Sequence, residues 1–107
     1  MKVAVASSDG IVINQHFGRA DTFYIYEILQ TGKIRFLEKR KGRPFCHSGE
    51  HEEQDLLDSV ELLADCDKVL VLQLGRGAER ALIARKVEPV ATRGFIEEVL
   101  AEYQESG

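Results

Sequence analysis

Asp67-Lys68-Val69-Leu70-Val71-Leu72-Gln73-Leu74-Gly75-Arg76-Gly77 contains an apolar run, Val69 to Leu74, that stops at a glycine turn. Such a run reads as a strand buried inside a sheet, and the turn leads into a helix over Ala78–Arg85. Upstream, Leu56, Leu57, Val60, Leu63 and Ala64 recur at helical spacing, so a helix over Glu50–Ala64 precedes the strand. Acids at Glu50, Glu52 and Glu53 suit its first turn, where the helix dipole is positive. Downstream, Val87–Ala91 reads as a short strand whose Pro89 suits an edge position, and Phe95, Ile96, Val99, Leu100 and Tyr103 mark a last helix. The amino-terminal half is strand-rich. Val3–Ala6 is a buried strand closed by Ser7-Ser8-Asp9-Gly10, and Phe23–Leu29 and Lys33–Lys39 form a hairpin across Thr31-Gly32.

The order is therefore βββαβαβα. It predicts one α/β domain over residues 1–107 with a five-stranded mixed sheet. Strands joined through a helix run parallel with right-handed crossovers. Three loops are then expected at one end of the sheet: Asp9–Asp21, Lys41–His51 and Gly75–Gly77. Ligand sites of open α/β sheets lie beyond the carboxyl ends of the parallel strands, which is this end.

Composition narrows the function classes. A chain of 107 residues fits one domain and buries enough surface to fold without disulfides. Eighteen acids against fourteen bases give a net charge of −4, which argues against nucleic acid as the partner. No apolar run approaches the roughly 20 residues of a membrane span. Val3–Ala6 is too short for a signal-peptide core, so a cytoplasmic location with reduced thiols is expected.

The residues able to carry chemistry fall in the predicted loops. His16, Cys46, His47 and His51 include every histidine and one of the two cysteines. Imidazole and thiolate are ligands for soft and borderline metals, and a bound metal deprotonates the thiol. His47 and His51 share a face only if the helix already includes His47, which Ser48-Gly49 argues against. Cys66 lies at the opposite end and reads as a small core residue. Gly75-Arg76-Gly77 reads either as a tight turn or as a backbone nest for an anion, with Arg76 in reach of it. Lys39-Arg40-Lys41 reads as a solvated strand end. The predicted strand interiors lack the several carboxylates that two-metal nuclease chemistry requires.

The segment Asn14-Gln15-His16-Phe17-Gly18-Arg19-Ala20-Asp21, set between the first strand and Phe23-Tyr24-Ile25-Tyr26-Glu27, resembles the signature of the dinitrogenase iron–molybdenum cofactor biosynthesis family. That family includes NifX and the carboxy-terminal domain of NifB. The resemblance extends over about residues 1–103. It implies a three-layer α/β/α, ribonuclease-H-like fold and binding of an iron–sulfur or iron–molybdenum-type cluster, or its precursor, during cofactor assembly for nitrogen fixation. By the same resemblance His16 is the motif histidine, Cys46 a cluster ligand, and Arg19, Gly75 and Arg76 contacts to an anionic cluster. The chain lacks the cysteine triplet of a radical-SAM domain, so the resemblance is to the binding domain alone. The expectation is a carrier, not an enzyme, whose partners are cluster donor and acceptor proteins. The alternatives are a mononuclear metal or redox-sensing module, and a docking domain that binds no metal.

Overall fold

The computed structural model describes residues 1–42 and 52–104. Five strands form the main sheet: β1 (Lys2–Ala6), β3 (Thr22–Ile28), β4 (Ile34–Lys41), β5 (Lys68–Val71) and β6 (Glu88–Ala91), in the spatial order β4-β3-β1-β5-β6. The β1–β3 and β3–β4 pairs are antiparallel, whereas β1–β5 and β5–β6 are parallel. The sheet is therefore mixed. Three helices accompany it: α1 (Glu52–Leu62), α2 (Arg76–Ala84) and α3 (Ile96–Gln104). Two more strands, β2 (Val12–Ile13) and β7 (Gly94–Phe95), pair with each other outside the main sheet. A 3-10 turn spans Phe17–Arg19.

Alternation along the strands divides the core in two. Ala4, Ala6, Phe23, Ile25, Val69 and Val71 face one way and pack with Val60 and Leu63 of α1 and Ala78 and Leu82 of α2. Val3, Val5, Ile28 and Leu70 face the other way and pack with Ile96, Val99 and Leu100 of α3. Two helices thus cover one face of the sheet and one helix covers the other.

Three features depart from the sequence reading. The strand β5 ends at Val71, three residues early, because Leu72 and Gln73 leave the sheet to pair with another loop. The β2–β7 ribbon is absent from the reading because two-residue strands carry no periodicity; it ties the first loop to the start of α3, where the Ile96 N–H donates to Ile11 O at 2.9 Å. The third is Arg40, which is not a solvated strand end. Its side chain is only 16% exposed and forms a bidentate pair with Asp65, at 2.7 and 2.9 Å. It also donates to Leu62 O at 2.9 Å, satisfying a carbonyl in the last turn of α1.

Asp65 collects further partners, Lys2 Nζ at 3.0 Å among them. Hydrogen bonds from Arg40, ahead of those from Lys2, hold its carboxyl well below the usual carboxylate range. The sign follows from linkage. A lowered carboxylate pKa contributes stability above the unfolded-state value of about 3.9 and loses it as pH falls toward the folded value. Asp65→Asn should therefore cost on the order of 1 kcal/mol at neutral pH, because the pair is largely surface-screened. The difference from wild type should shrink below about pH 4. Urea midpoints of both proteins at neutral and acid pH check this; a gap that widened on acidification would contradict it.

Candidate functional site

The loop between β1 and β3 is built by its own side chains. Ser7, fully buried, accepts the Gly10 N–H at 2.9 Å, and Asp9 Oδ1 accepts the Ile11 N–H at 2.8 Å. Gly10 has φ +76°, and a Cβ there would lie 2.7 Å from the Tyr24 ring, so glycine is required on both counts. Asn14 then clasps Ser8 in both directions: its Oδ1 accepts the Ser8 N–H at 3.0 Å, and its Nδ2 donates to Ser8 Oγ at 2.9 Å.

Beyond Asn14 the chain runs alongside the exit of β5. The Leu72 N–H donates to Gln15 O and the Phe17 N–H to Gln73 O, both at 2.9 Å, and His16 and Gln73 form a parallel bridge. Phe17 drops into the core, 1% exposed, with its ring 5.8 Å from that of Phe23. Ala20 is buried beside it in the same cluster. Between these anchors the side chains of His16 and Arg19 stay exposed. Gln15 Oε1 is buried and accepts no hydrogen bond among the described residues. An acceptor left in that condition costs on the order of 1–3 kcal/mol.

The strand exit that holds His16 continues within two residues into Gly75-Arg76-Gly77. Gly75 is the N-cap of α2, in an extended conformation, with no side-chain hydrogen bond to the first turn. Neither Gly75 nor Gly77 has a positive φ. A Cβ at Gly75 would meet nothing within 4 Å, and at Gly77 only Leu56 Cδ2 at 3.8 Å. The backbone therefore does not require glycine here. Glycine at 75 places no side chain over the first turn of α2, which has no side-chain cap. The N–H groups of that turn and the helix dipole favour an anion. Gly75, Arg76 and Gly77 are all exposed.

Of the residues singled out in the sequence, His16 is paired with Gln73, two residues before Gly75 and three before Arg76, and Arg19 ends the 3-10 turn that follows His16. Gly42 shows where the third loop departs: its N–H donates to Asp21 O at 2.9 Å, at the end of this same segment. Cys46, His47 and His51 lie outside the described residues, as does most of the Lys41–His51 loop. Among the described residues no three His, Cys, Asp or Glu side chains are grouped closely enough to hold a metal. Asn14, Gln15 and Phe17 have site-building roles that spacing does not reveal. An Asn that can fold back on a nearby Ser, inside a turn-rich stretch, is the one signal available for the first of them.

The sequence profile of the family described as "Dinitrogenase iron-molybdenum cofactor" matches residues 1–106. The chain belongs to this family. The FeMo cofactor biosynthesis protein NifB of Sinorhizobium fredii is 37% identical over 95 residues, which is 89% of this chain and 19% of that protein. Its counterpart in Azotobacter vinelandii is 34% identical over 109 residues, 96% of this chain and 22% of that protein. The family member here thus spans about a fifth of these curated relatives. Two solved structures share its fold. PH0822 superposes with a TM-score of 0.75 at 19% identity, covering 99% of this chain and 92% of that one. The Thermotoga protein TM1290 gives 0.63 at 21%, covering 97% and 87%.

Cys66 stands apart from this end. It is 4% exposed within the α1–α2 core, and its Sγ lies 3.7 Å from Asp65 Oδ1. Burial pushes the thiol up to about 12, with the Asp65 charge adding to it. At pH 8 the thiolate is then a minute fraction, and the thiolate is the reactive form. In Cys46→Ala protein, which retains Cys66 alone, a colorimetric thiol reagent should report almost no reaction until denaturant is added. Rapid native labelling would contradict the burial.

Proposed function

We propose that this protein binds an iron–sulfur or iron–molybdenum-type cluster, or its precursor, as cargo and passes it between donor and acceptor proteins of cofactor assembly. The observation that carries the reading is the pairing of His16 with Gln73. It sets an exposed imidazole on the strand that opens α2 with unprotected N–H groups and Arg76. A metal–sulfur cluster is anionic and needs few strong ligands plus positive electrostatics. Here the imidazole is the ligand, and the α2 amides with Arg76 and Arg19 are the electrostatic part. We assign the further thiolate to Cys46, which the sequence sets between β4 and α1, and further imidazoles to His47 and His51.

Family membership and the names of the NifB relatives support a role in FeMo cofactor biosynthesis and so in nitrogen fixation. We read the chain as a carrier and not a catalyst, working in the reducing cytoplasm, since the residues assigned to its site suit metal ligation and contact with an anionic cluster. The sheet order β4-β3-β1-β5-β6, with two helices on one face and one on the other, is read as ribonuclease-H-like.

Anaerobic reconstitution with iron and sulfide, followed by absorption spectroscopy and metal analysis, tests this. A broad charge-transfer band with iron and sulfide bound is expected. His16→Ala and Cys46→Ala should each weaken retention about tenfold or more, and Arg76→Ala several-fold less, as loss of a ligand outweighs loss of one exposed charge. Urea midpoints of His16→Ala and Arg76→Ala should match wild type within about 0.5 kcal/mol, because both side chains are exposed. Colourless protein with one zinc per chain would replace the carrier by a mononuclear site, and protein binding no metal would leave a docking domain.

A further inference from the structure

Gly42 follows β4 directly and closes that strand onto the turn that carries His16, and it does so by having no side chain. Its φ is not positive, so its backbone conformation does not demand glycine. A Cβ built there would nevertheless lie 2.5 Å from Ala20 O and 2.9 Å from Phe23 Cε2. The carbonyl contact would have to open by about 0.5 Å merely to reach 3.0 Å, the lower limit of real Cβ contacts. Ala20 and Phe23 are both buried, and the Phe23 ring packs on that of Phe17. A close-packed interior resists such a displacement.

The two sides of this contact are not equally free to move. β4 is anchored just before Gly42, where Arg40 stands opposite Phe23 in the ladder and its guanidinium is held by Asp65 and by Leu62 O. On the other side is a single 3-10 turn. It is closed by the Arg19 N–H on His16 O at 3.0 Å and by the Ala20 N–H on Phe17 O at a long 3.4 Å. A side chain at 42 therefore displaces the turn before it displaces the strand. His16 is the N-cap of that turn and Arg19 its last residue, so both exposed groups move with it. The connection in which the sequence sets Cys46, four residues on, starts from the same contact.

We propose that Gly42 is a positioning residue of the cargo site: its lack of a side chain lets the end of β4 close on the Ala20 carbonyl, and this sets where His16 and Arg19 stand. Its part in binding rests on the cargo reading, whereas the position of His16 can be followed without cargo. The test compares imidazole proton–carbon resonances of the cargo-free full chain, with His16 identified by its loss in His16→Gln, against cluster retention after anaerobic reconstitution. Gly42→Ala should shift the His16 resonance and weaken retention about tenfold. Ile28→Ala, a buried truncation at the far end of β3, should lower the urea midpoint and leave both readouts at wild-type values. If Gly42→Ala fails to fold, combining it with Phe23→Leu removes the ring from the clash and keeps the carbonyl contact. The double variant should then shift His16 relative to Phe23→Leu alone. An unmoved His16 resonance overturns the proposal, as does an equal shift in Ile28→Ala, or a shifted His16 with wild-type retention. Wild type that takes up no cluster refutes the cargo reading, and the His16 resonance alone then upholds or overturns the role of Gly42.

Discussion

Two backbone hydrogen bonds, Leu72 N–H to Gln15 O and Phe17 N–H to Gln73 O, decide what this molecule presents to solvent. They extend the parallel pairing of the sheet past the end of β5, using a loop segment in place of a strand. Loop backbone needs partners for its own N–H and C=O groups, and a segment that finds them on a central strand inherits that strand's rigidity. The inward turn of Phe17 then fixes the register. With residue 17 buried, the side chain before it on an extended chain points away from the core. His16 is therefore exposed by the geometry of the pairing itself. The same pairing sets the path of Leu72–Leu74 and hence the place where α2 begins.

The two ends of the sheet consequently have separate duties. At the end where β1 and β5 begin, the Asp67 N–H donates to Lys2 O at 2.7 Å and the Lys2 N–H to Asp67 Oδ2 at 2.7 Å. Nearby, Arg40, Asp65 and Lys2 close the last turn of α1 onto β4. Cys66 is sealed beneath this cluster. Charge at this end is consumed by internal partners. At the opposite end His16, Arg19 and Arg76 are exposed, and the first turn of α2 has no side-chain cap. Exposed loop residues held by a rigid sheet can change with little effect on the fold, whereas changes at the ion-paired end cost stability.

How much of this was legible in the sequence follows from which signals have a period. Val3–Ala6, Phe23–Leu29 and Val69–Val71 announce themselves as strands, and Leu56, Val60 and Leu63 as a helix face, because burial repeats along them. Three strands of the main sheet and the first helix could be read from those residues. The ribbon Val12–Ile13 with Gly94–Phe95 could not, since two residues make no pattern and the pairing spans more than eighty positions. Leu72 was misread for a related reason. Its apolar neighbours extend the run, but its hydrogen bond goes to Gln15, a partner that only the tertiary fold supplies. Arg40 looked solvated because charge runs at strand ends usually are; its pairing with Asp65 depends on where α1 ends. For the candidate site, residue type singled out His16, Arg19 and Arg76 as candidates, while Asn14 and Phe17, which shape the loop, carry no chemistry of their own to advertise them.

The glycines of Gly75-Arg76-Gly77 sharpen the distinction between structural and functional constraint. Gly10 is held by the fold: its φ is positive, and the Tyr24 ring occupies the space a Cβ would need. Gly75 is under neither constraint, and alanine would fit. As N-cap residues, Ser, Thr, Asp and Asn would each satisfy a first-turn N–H and stabilise α2 by a few tenths of a kcal/mol over glycine. A residue that forgoes that hydrogen bond keeps the N–H groups available to something outside the chain. Stability alone would favour a capping side chain at 75, whereas the anion contact proposed above would favour its absence. The bare N-cap, next to an exposed imidazole that the fold holds in place, is what distinguishes this end of the sheet from an ordinary strand-to-helix turn.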